Sequence, residues 1–119
     1  MAVLLALAIL VIGALYLFRP VATTSSFGLP LPAMGDNVPW WLRLKGVRDV
    51  ASGITVLAVL ATCPPYACGV VLLALTITPL GDMTLILLAR GSAQRALGIH
   101  GVTALVMILT ALALLNLGQ

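Results

Sequence analysis

Long apolar segments dominate the chain, and polar residues interrupt them at only a few places. Four such segments cover residues 1–18, 40–62, 66–89 and 96–117. Each is close to the roughly 20 residues that a helix needs to cross a bilayer. The pattern therefore predicts an all-α fold, in which residues 1–119 form a single integral membrane domain, a bundle of four transmembrane helices.

The third apolar segment contains Pro-Leu-Gly-Asp at residues 79–82, a sequence that is typical of a turn. Proline removes a backbone donor and clashes with the carbonyl group four residues earlier. A connection at this point would leave a piece too short to cross a membrane. We therefore expect one helix that is kinked, or broken, near Pro79.

Composition supports the membrane interpretation and excludes a nucleic-acid-binding protein. The chain is 62% hydrophobic and only 8% charged, whereas a soluble domain carries about 25% charged residues. Its formal charge of +3 is dispersed beside apolar segments and forms no basic stripe with interleaved aromatic residues. The first segment has no basic residue before it and no cleavage pattern near its end, so we expect it to remain in the mature protein.

Basic residues predict the orientation of the chain in the membrane. All six of them lie at helix ends that face the first and third connections: Arg19, Arg43, Lys45, Arg48, Arg90 and Arg95. Under the positive-inside rule these connections are cytoplasmic, and both termini lie on the non-cytoplasmic side of what we expect to be a cell inner membrane. Trp40 and Trp41 are expected to anchor the second helix at the interface, with Arg43 and Lys45 extending to the lipid headgroups.

Anchoring does not explain four ionisable residues that lie deeper. Arg48 is eight residues beyond Trp40, about 12 Å further along a helix, and Asp49 follows it. Asp82 and His100 are about 12 Å and 7.5 Å inside the same predicted edge. Ionisable groups at such depth usually face the interior of a bundle and serve a function. We therefore expect three helices to bring these residues into one polar layer.

The predicted catalytic residues are Arg48, Asp49, Asp82 and His100, and the predicted substrate-binding residues are Trp40, Ser52 and Thr78. Simpler roles remain open: a structural ion pair that includes Arg48, a helix cap by Asp82, and hydrogen-bonded packing of His100. No His-x-x-x-His or Glu-x-x-His spacing indicates a metal site. No nicotinamide, flavin or phosphate-loop motif is present, so we predict no cofactor and no metal.

Residues 45–53, Lys-Gly-Val-Arg-Asp-Val-Ala-Ser-Gly, resemble the signature Gly-x-Arg-Asp-x-x-x-Gly of an uncharacterised family of small integral membrane proteins. The resemblance implies a four-helix bundle with a polar site in the second helix, and it implies no established reaction. Small multidrug transporters are similar in length and helix number, but they use a carboxylate in their first helix. Residues 1–18 contain no carboxylate and no other charged side chain.

These observations favour a membrane-embedded enzyme that acts on a small lipophilic substrate by acid/base chemistry, through epoxide opening, cyclisation or isomerisation. Two carboxylates beside an arginine can supply a base and an acid, because one stays ionised and desolvation keeps the other protonated. The trio resembles the site of limonene-epoxide hydrolases, as a chemical analogy between unrelated folds. The alternatives are a transporter or binding protein, which could act as a homodimer, and a structural subunit of a membrane complex. The substrate, and whether Cys63 and Cys68 form a disulfide, stay open.

Overall fold

The computed structural model describes residues 1–30, 33 and 35–117. Its helices are α1 (Ala2–Phe18), α2 (Pro20–Thr23), α3 (Val38–Thr62), α4 (Pro65–Leu75), α5 (Ile77–Leu88), α6 (Ala93–Arg95) and α7 (Val102–Asn116). A 3₁₀ turn covers Thr24–Ser26, and a π-helical turn covers Ala96–Gly101. The described residues form helices and no strands, so the prediction of an all-α fold is confirmed.

Helices α1 and α3 pack closely because glycines lie at their contact. A Cβ atom on Gly13 would lie 2.8 Å from the backbone oxygen of Gly46, and one on Gly53 would lie 2.9 Å from the backbone oxygen of Ala6. Small residues at such crossings let two helix backbones approach each other and gain van der Waals contact. The two glycines of the signature in α3 are therefore part of a helix contact.

The contact between α1 and α3 gives a direct prediction about stability. Gly13→Ala should destabilise the fold by about 1–3 kcal/mol, because the added methyl group meets backbone atoms that cannot yield. Gly81→Ala is the matched control, since nothing lies within 4 Å of its added Cβ. It should stabilise α5 by up to about 1 kcal/mol through helix propensity. Reversible unfolding in detergent measures both changes, and equal effects would contradict the close contact.

A second helix pair consists of α4 and α7. A Cβ atom on Gly69 would lie 2.9 Å from the backbone oxygen of Ala111, so these helices also meet at a glycine. Cys68 and Leu72 are fully buried beside this contact. Cys68 and the exposed Cys63 are both free thiols, which answers the question that the sequence left open.

The third apolar segment is interrupted near the position that the sequence predicted. Regular helix stops at Leu75 and resumes at Ile77, and Pro79 has no backbone donor for the carbonyl group of Leu75, four residues earlier. The buried Thr76 hydroxyl donates to the backbone oxygen of Leu72 at 2.8 Å, which holds this irregular turn. The interruption therefore lies about one turn ahead of the proline.

Two helical stretches are long and apolar enough to cross a membrane, Pro65–Leu88 and Ala93–Asn116. Helix α1 is apolar but has 17 residues, and the 25 residues of α3 include four charged ones. Many large apolar side chains on the outside of the bundle are exposed, including Phe18, Ile77 and Leu88. An outer surface of this kind is typical of contact with lipid or with another protein.

The first and third connections meet at the same end of the bundle. The amide of Ser92 donates to the backbone oxygen of Gly28 at 2.9 Å, and the Arg95 guanidinium donates to the backbone oxygen of Ser25. Gly28 has a φ of +106°, a conformation that favours glycine. This contact places the first connection over one end of the space between the two helix pairs.

Candidate functional site

A cavity of about 300 Å³ lies between the two helix pairs. Apolar side chains of α1 and α7 line much of it, among them Ile9, Ile12 and Met107. Its polar and ionisable lining consists of Tyr16, Thr23, Ser26, Lys45, Asp49, Ser52, Thr78, Asp82, His100 and Thr103. An apolar chamber with a few converging polar groups is the usual form of a small-molecule site.

Lys45 and Asp49 form an ion pair on the cavity side of α3. The lysine Nζ lies 2.6 Å from Oδ2 of Asp49, whose side chain is only 8% exposed. Residues four apart lie on one face of a helix, so α3 presents both groups together. The ammonium also lies 4.7 Å from the ring centroid of Tyr16 and 5.4 Å from that of Phe27. Carboxylate and aromatic faces thus stabilise a positive charge at the cavity wall.

Asp82 and His100 form the opposite wall. Nδ1 of His100 lies 3.6 Å from Oδ2 of Asp82, within ion-pair range, and Nε2 lies 3.2 Å from the backbone oxygen of Phe27. A carbonyl oxygen only accepts hydrogen bonds, so Nε2 carries a proton in this contact. Nδ1 faces the Asp82 carboxyl group at a distance beyond a direct hydrogen bond. The pair therefore places an imidazole and a carboxyl group side by side at the cavity.

The position of His100 depends on the π-helical turn at Ala96–Gly101. The preceding short helix is capped by the Ser92 hydroxyl, which accepts from the backbone amide of Arg95 at 3.3 Å. A π turn contains more residues per turn than an α-helix, so it changes the direction of the side chains that follow, and such turns are frequent at functional sites. His100 is buried as a result, with 8% of its surface exposed.

The first connection closes the polar end of the cavity. The Phe27 ring packs edge-on against the His100 ring, with a centroid distance of 4.8 Å. Helix α2 and the turn at Thr24–Ser26 carry Phe27 to this position, and Arg95 holds the turn through Ser25. The same side chain therefore covers His100 and approaches Lys45.

The structure brings most of the predicted site residues to this cavity. Asp49, Asp82 and His100 line it, as do Ser52 and Thr78, which were predicted to contact substrate. They come from α3, α5 and the π turn, in agreement with a polar layer formed by three helices.

Two predicted placements are corrected. Arg48 is exposed and lies outside the cavity lining, because consecutive residues of a helix point about 100° apart and Asp49 takes the inward direction. The packing of Gly46 and Gly53 against α1 fixes that rotation. Trp40 is 64% exposed and lies on the outer side of α3, away from the cavity.

Among the lining residues that were not predicted as part of the site are Lys45, Tyr16 and Phe27. Lys45 was expected to act only as an anchor, although its spacing of four from Asp49 could have indicated the pair. Tyr16 lies in the apolar segment of residues 1–18 and Phe27 in the first connection, and no signal in the sequence distinguishes them from packing residues. In the part of the chain that the structure describes, no group of three His, Cys, Asp or Glu side chains could hold a metal ion.

The model of a family described as Domain of unknown function (DUF4267) matches residues 6–114, which include most of both helix pairs and every residue of the cavity's polar lining. No curated protein and no solved structure matches the chain.

Proposed function

The chain belongs to the DUF4267 family, and we propose that it is a membrane-embedded enzyme that acts on a small lipophilic substrate by acid/base chemistry. The observation that supports this most is the convergence of two ionisable pairs, Lys45 with Asp49 and Asp82 with His100, on one largely apolar cavity. A volume of about 300 Å³ lies at the lower end of the range for ligand pockets, so the substrate is small.

In this proposal four segments cross the membrane: α1, α3, α4 with α5, and the stretch from α6 to α7. Helix α3 is long enough, and its charged residues either line the cavity or lie toward the basic end. The meeting of the first and third connections supports placing both on the cytoplasmic side, since the six basic residues lie in these connections or in the adjoining part of α3.

This topology predicts that both termini lie outside the cytoplasm. A C-terminal alkaline phosphatase fusion, which is active only outside the cytoplasm, should be active, and a C-terminal green fluorescent protein should stay dark. Fusions within the third connection, after Gly91, should give the reverse pattern. A fluorescent C-terminal fusion would show that the orientation is wrong, and the cavity's polar end would then lie on the other side.

The proposed substrate is a compact hydrocarbon that carries one oxygen function. Its hydrocarbon part packs against the apolar side chains of α1 and α7, and its oxygen lies at the polar end between the two ionisable pairs. Such a molecule partitions into the bilayer, and the cavity lies between helices within the membrane. Burial of apolar surface in the cavity provides most of the binding free energy, and the polar groups orient the oxygen.

Each ionisable pair has a separate role. The Lys45 ammonium faces the substrate oxygen and stabilises negative charge that develops there, while Asp49 keeps the ammonium in place. Asp82 with His100 supplies or accepts the proton, since carboxyl and imidazole groups are the usual general acids and bases and both line the cavity. Epoxide opening, with water as nucleophile, and double-bond isomerisation both fit this division. The sequence-based hypothesis gave this role to Arg48. Lys45 takes it in this proposal, with a compact ammonium group in place of a planar guanidinium group.

A conversion assay tests the proposed activity. Protein in lipid nanodiscs is incubated in H₂¹⁸O with a panel of monoterpene and sesquiterpene epoxides, enones and unconjugated ketones, and the extracts are analysed by chromatography and mass spectrometry. Epoxide opening should give a diol that contains ¹⁸O, and isomerisation or cyclisation should give a product of unchanged mass. Empty nanodiscs provide the background rate. Bound compounds that are recovered chemically unchanged across the whole panel would contradict an enzyme and support a binding protein.

Transport is the second candidate, because the cavity lies between two helix pairs that could move relative to each other. Liposomes that contain the protein would then take up members of the same panel faster than empty liposomes do. The compounds inside would be recovered chemically unchanged. A homodimer in this state would appear as a doubled mass in native mass spectrometry.

A further inference from the structure

The conspicuous Arg48 of the signature is exposed on α3, and neither the cavity nor a helix contact uses it. The ion pairs within the described residues are Lys45 with Asp49 and His100 with Asp82, so no carboxylate there balances Arg48. An arginine at membrane depth is costly unless it meets an acidic group or a headgroup. The charge of Arg48 is therefore open to a partner from outside the chain.

A groove of about 460 Å³ lies on the outer side of α3, next to Arg48. Its lining consists of Asn37, Trp40, Trp41, Arg43, Leu44 and Val47. At about 100° per residue, Leu44 lies between Arg43 and Arg48 around the helix axis. Arg43 lines one side of the groove, and Arg48 borders the lining at Leu44 and Val47 without being part of it. The groove lies away from the face of α3 on which Gly46 and Gly53 pack against α1.

The groove has a polar end and an apolar continuation. Arg43 is held there by its Nε, which donates to the backbone oxygen of Leu17 at 3.1 Å, and by stacking of its guanidinium 4.8 Å from the Trp40 ring centroid. Exposed Leu44 and Val47 lie between the two arginines along the helix, and exposed Ile54 continues the apolar surface beyond them. Asp36 lies before the helix and forms no ion pair with either arginine in the described part of the chain.

We infer that this groove binds a phospholipid with an anionic headgroup. Its phosphate lies between the guanidinium groups of Arg43 and Arg48, which match phosphate oxygens in charge and geometry. One acyl chain follows the apolar surface of Leu44, Val47 and Ile54, and the two tryptophans lie at the interface level, where their rings are favoured. The site is on the other side of α3 from the cavity, so it is independent of the proposed reaction.

Lipid analysis of the purified protein tests this site. The full chain is exchanged into detergent micelles that contain equal amounts of phosphatidylglycerol and phosphatidylcholine with identical acyl chains, and native mass spectrometry counts the lipid that stays bound. The wild-type protein should retain phosphatidylglycerol preferentially. Arg48→Gln should lower the ratio of the two retained lipids by roughly fivefold, the factor that corresponds to about 1 kcal/mol for one basic residue at an anionic membrane surface.

Arg43→Gln should have a similar effect, and Arg90→Gln is the matched control, because it removes an exposed cation at the same predicted membrane side without touching the groove. Because Arg48 makes no side-chain contact that the fold needs among the described residues, Arg48→Gln decides the question even where Arg43→Gln unfolds. Equal retention of the two lipids by the wild-type protein would overturn the inference. A preference for phosphatidylglycerol that is unchanged in Arg48→Gln would also overturn it. The same holds if a membrane protein copurifies with the wild-type chain and is lost from Arg48→Gln while the bound lipid stays.

Discussion

Lys45→Met is expected to lower the free energy of unfolding by about 3–5 kcal/mol, the usual cost of removing one partner from a buried ion pair. The loss leaves the Asp49 carboxylate, 8% exposed, without the ammonium that lies 2.6 Å from it. Asp49→Leu should cost less, because the Lys45 side chain is 30% exposed and faces the cavity. Reversible unfolding in mixed detergent micelles measures both changes.

The double variant, with Lys45→Met and Asp49→Leu together, tests whether the loss of stability comes from the charge that is left unpaired. Replacing both charges with apolar side chains of similar volume is often neutral or stabilising, so the double variant should recover most of the lost stability. Arg48→Met is the matched control, one cation removed from an exposed site on the same helix. If Lys45→Met has the same free energy of unfolding as the wild-type protein, Lys45 and Asp49 do not form a stabilising ion pair.

Asp82→Asn and His100→Gln should each lower substrate conversion by at least about a hundredfold, the usual scale for losing general acid or base catalysis. Asparagine keeps the shape of the side chain, but its amide group cannot act as a general acid or base near neutral pH. Glutamine can still donate to the backbone oxygen of Phe27, which His100 contacts at 3.2 Å, so the covering segment should stay closed. Both variants should therefore fold and bind the substrate.

A variant with both substitutions tests whether Asp82 and His100 act as one unit. Residues that share one proton give losses that do not add, so this variant should be about as slow as either single variant. The values of kcat/KM for the three proteins, measured on the compound that the panel identifies, give the comparison. A double variant slower by the product of the two single losses would show that each residue has an independent role.

Depth along each helix could be predicted from the sequence, because a helix rises by about 1.5 Å per residue whatever its side chains are. That rule alone is enough to bring Asp49, Asp82 and His100 to one level of the bundle. The pattern of long apolar segments likewise predicted helices, and the structure shows an all-α fold with two helical stretches long and apolar enough to cross a membrane.

Rotation about the helix axis could not be predicted in the same way. Lys45, Arg48 and Asp49 lie within five residues, and which of them face the cavity depends on how α3 is turned. Contacts of Gly46 and Gly53 with α1 decide this, at distances that only the packed helices define. The place at the cavity that was expected for Arg48 is therefore occupied by Lys45.

The direction of His100 was also beyond the sequence. It depends on a π-helical turn, which changes the register of the residues after Ala96. Such turns carry no strong sequence signal, and the two glycines of this turn, at positions 98 and 101, are equally compatible with close helix packing.

The most direct test of the acid/base site compares two carboxylates that differ only in position. Asp82 lines the cavity, and Asp36 is exposed before α3. With equal amounts of folded protein in nanodiscs, initial rates of conversion should fall by at least about a hundredfold in Asp82→Asn and stay at the wild-type level in Asp36→Asn. Wild-type rates in both variants, or an equal loss in both, would contradict a catalytic cavity between the two helix pairs.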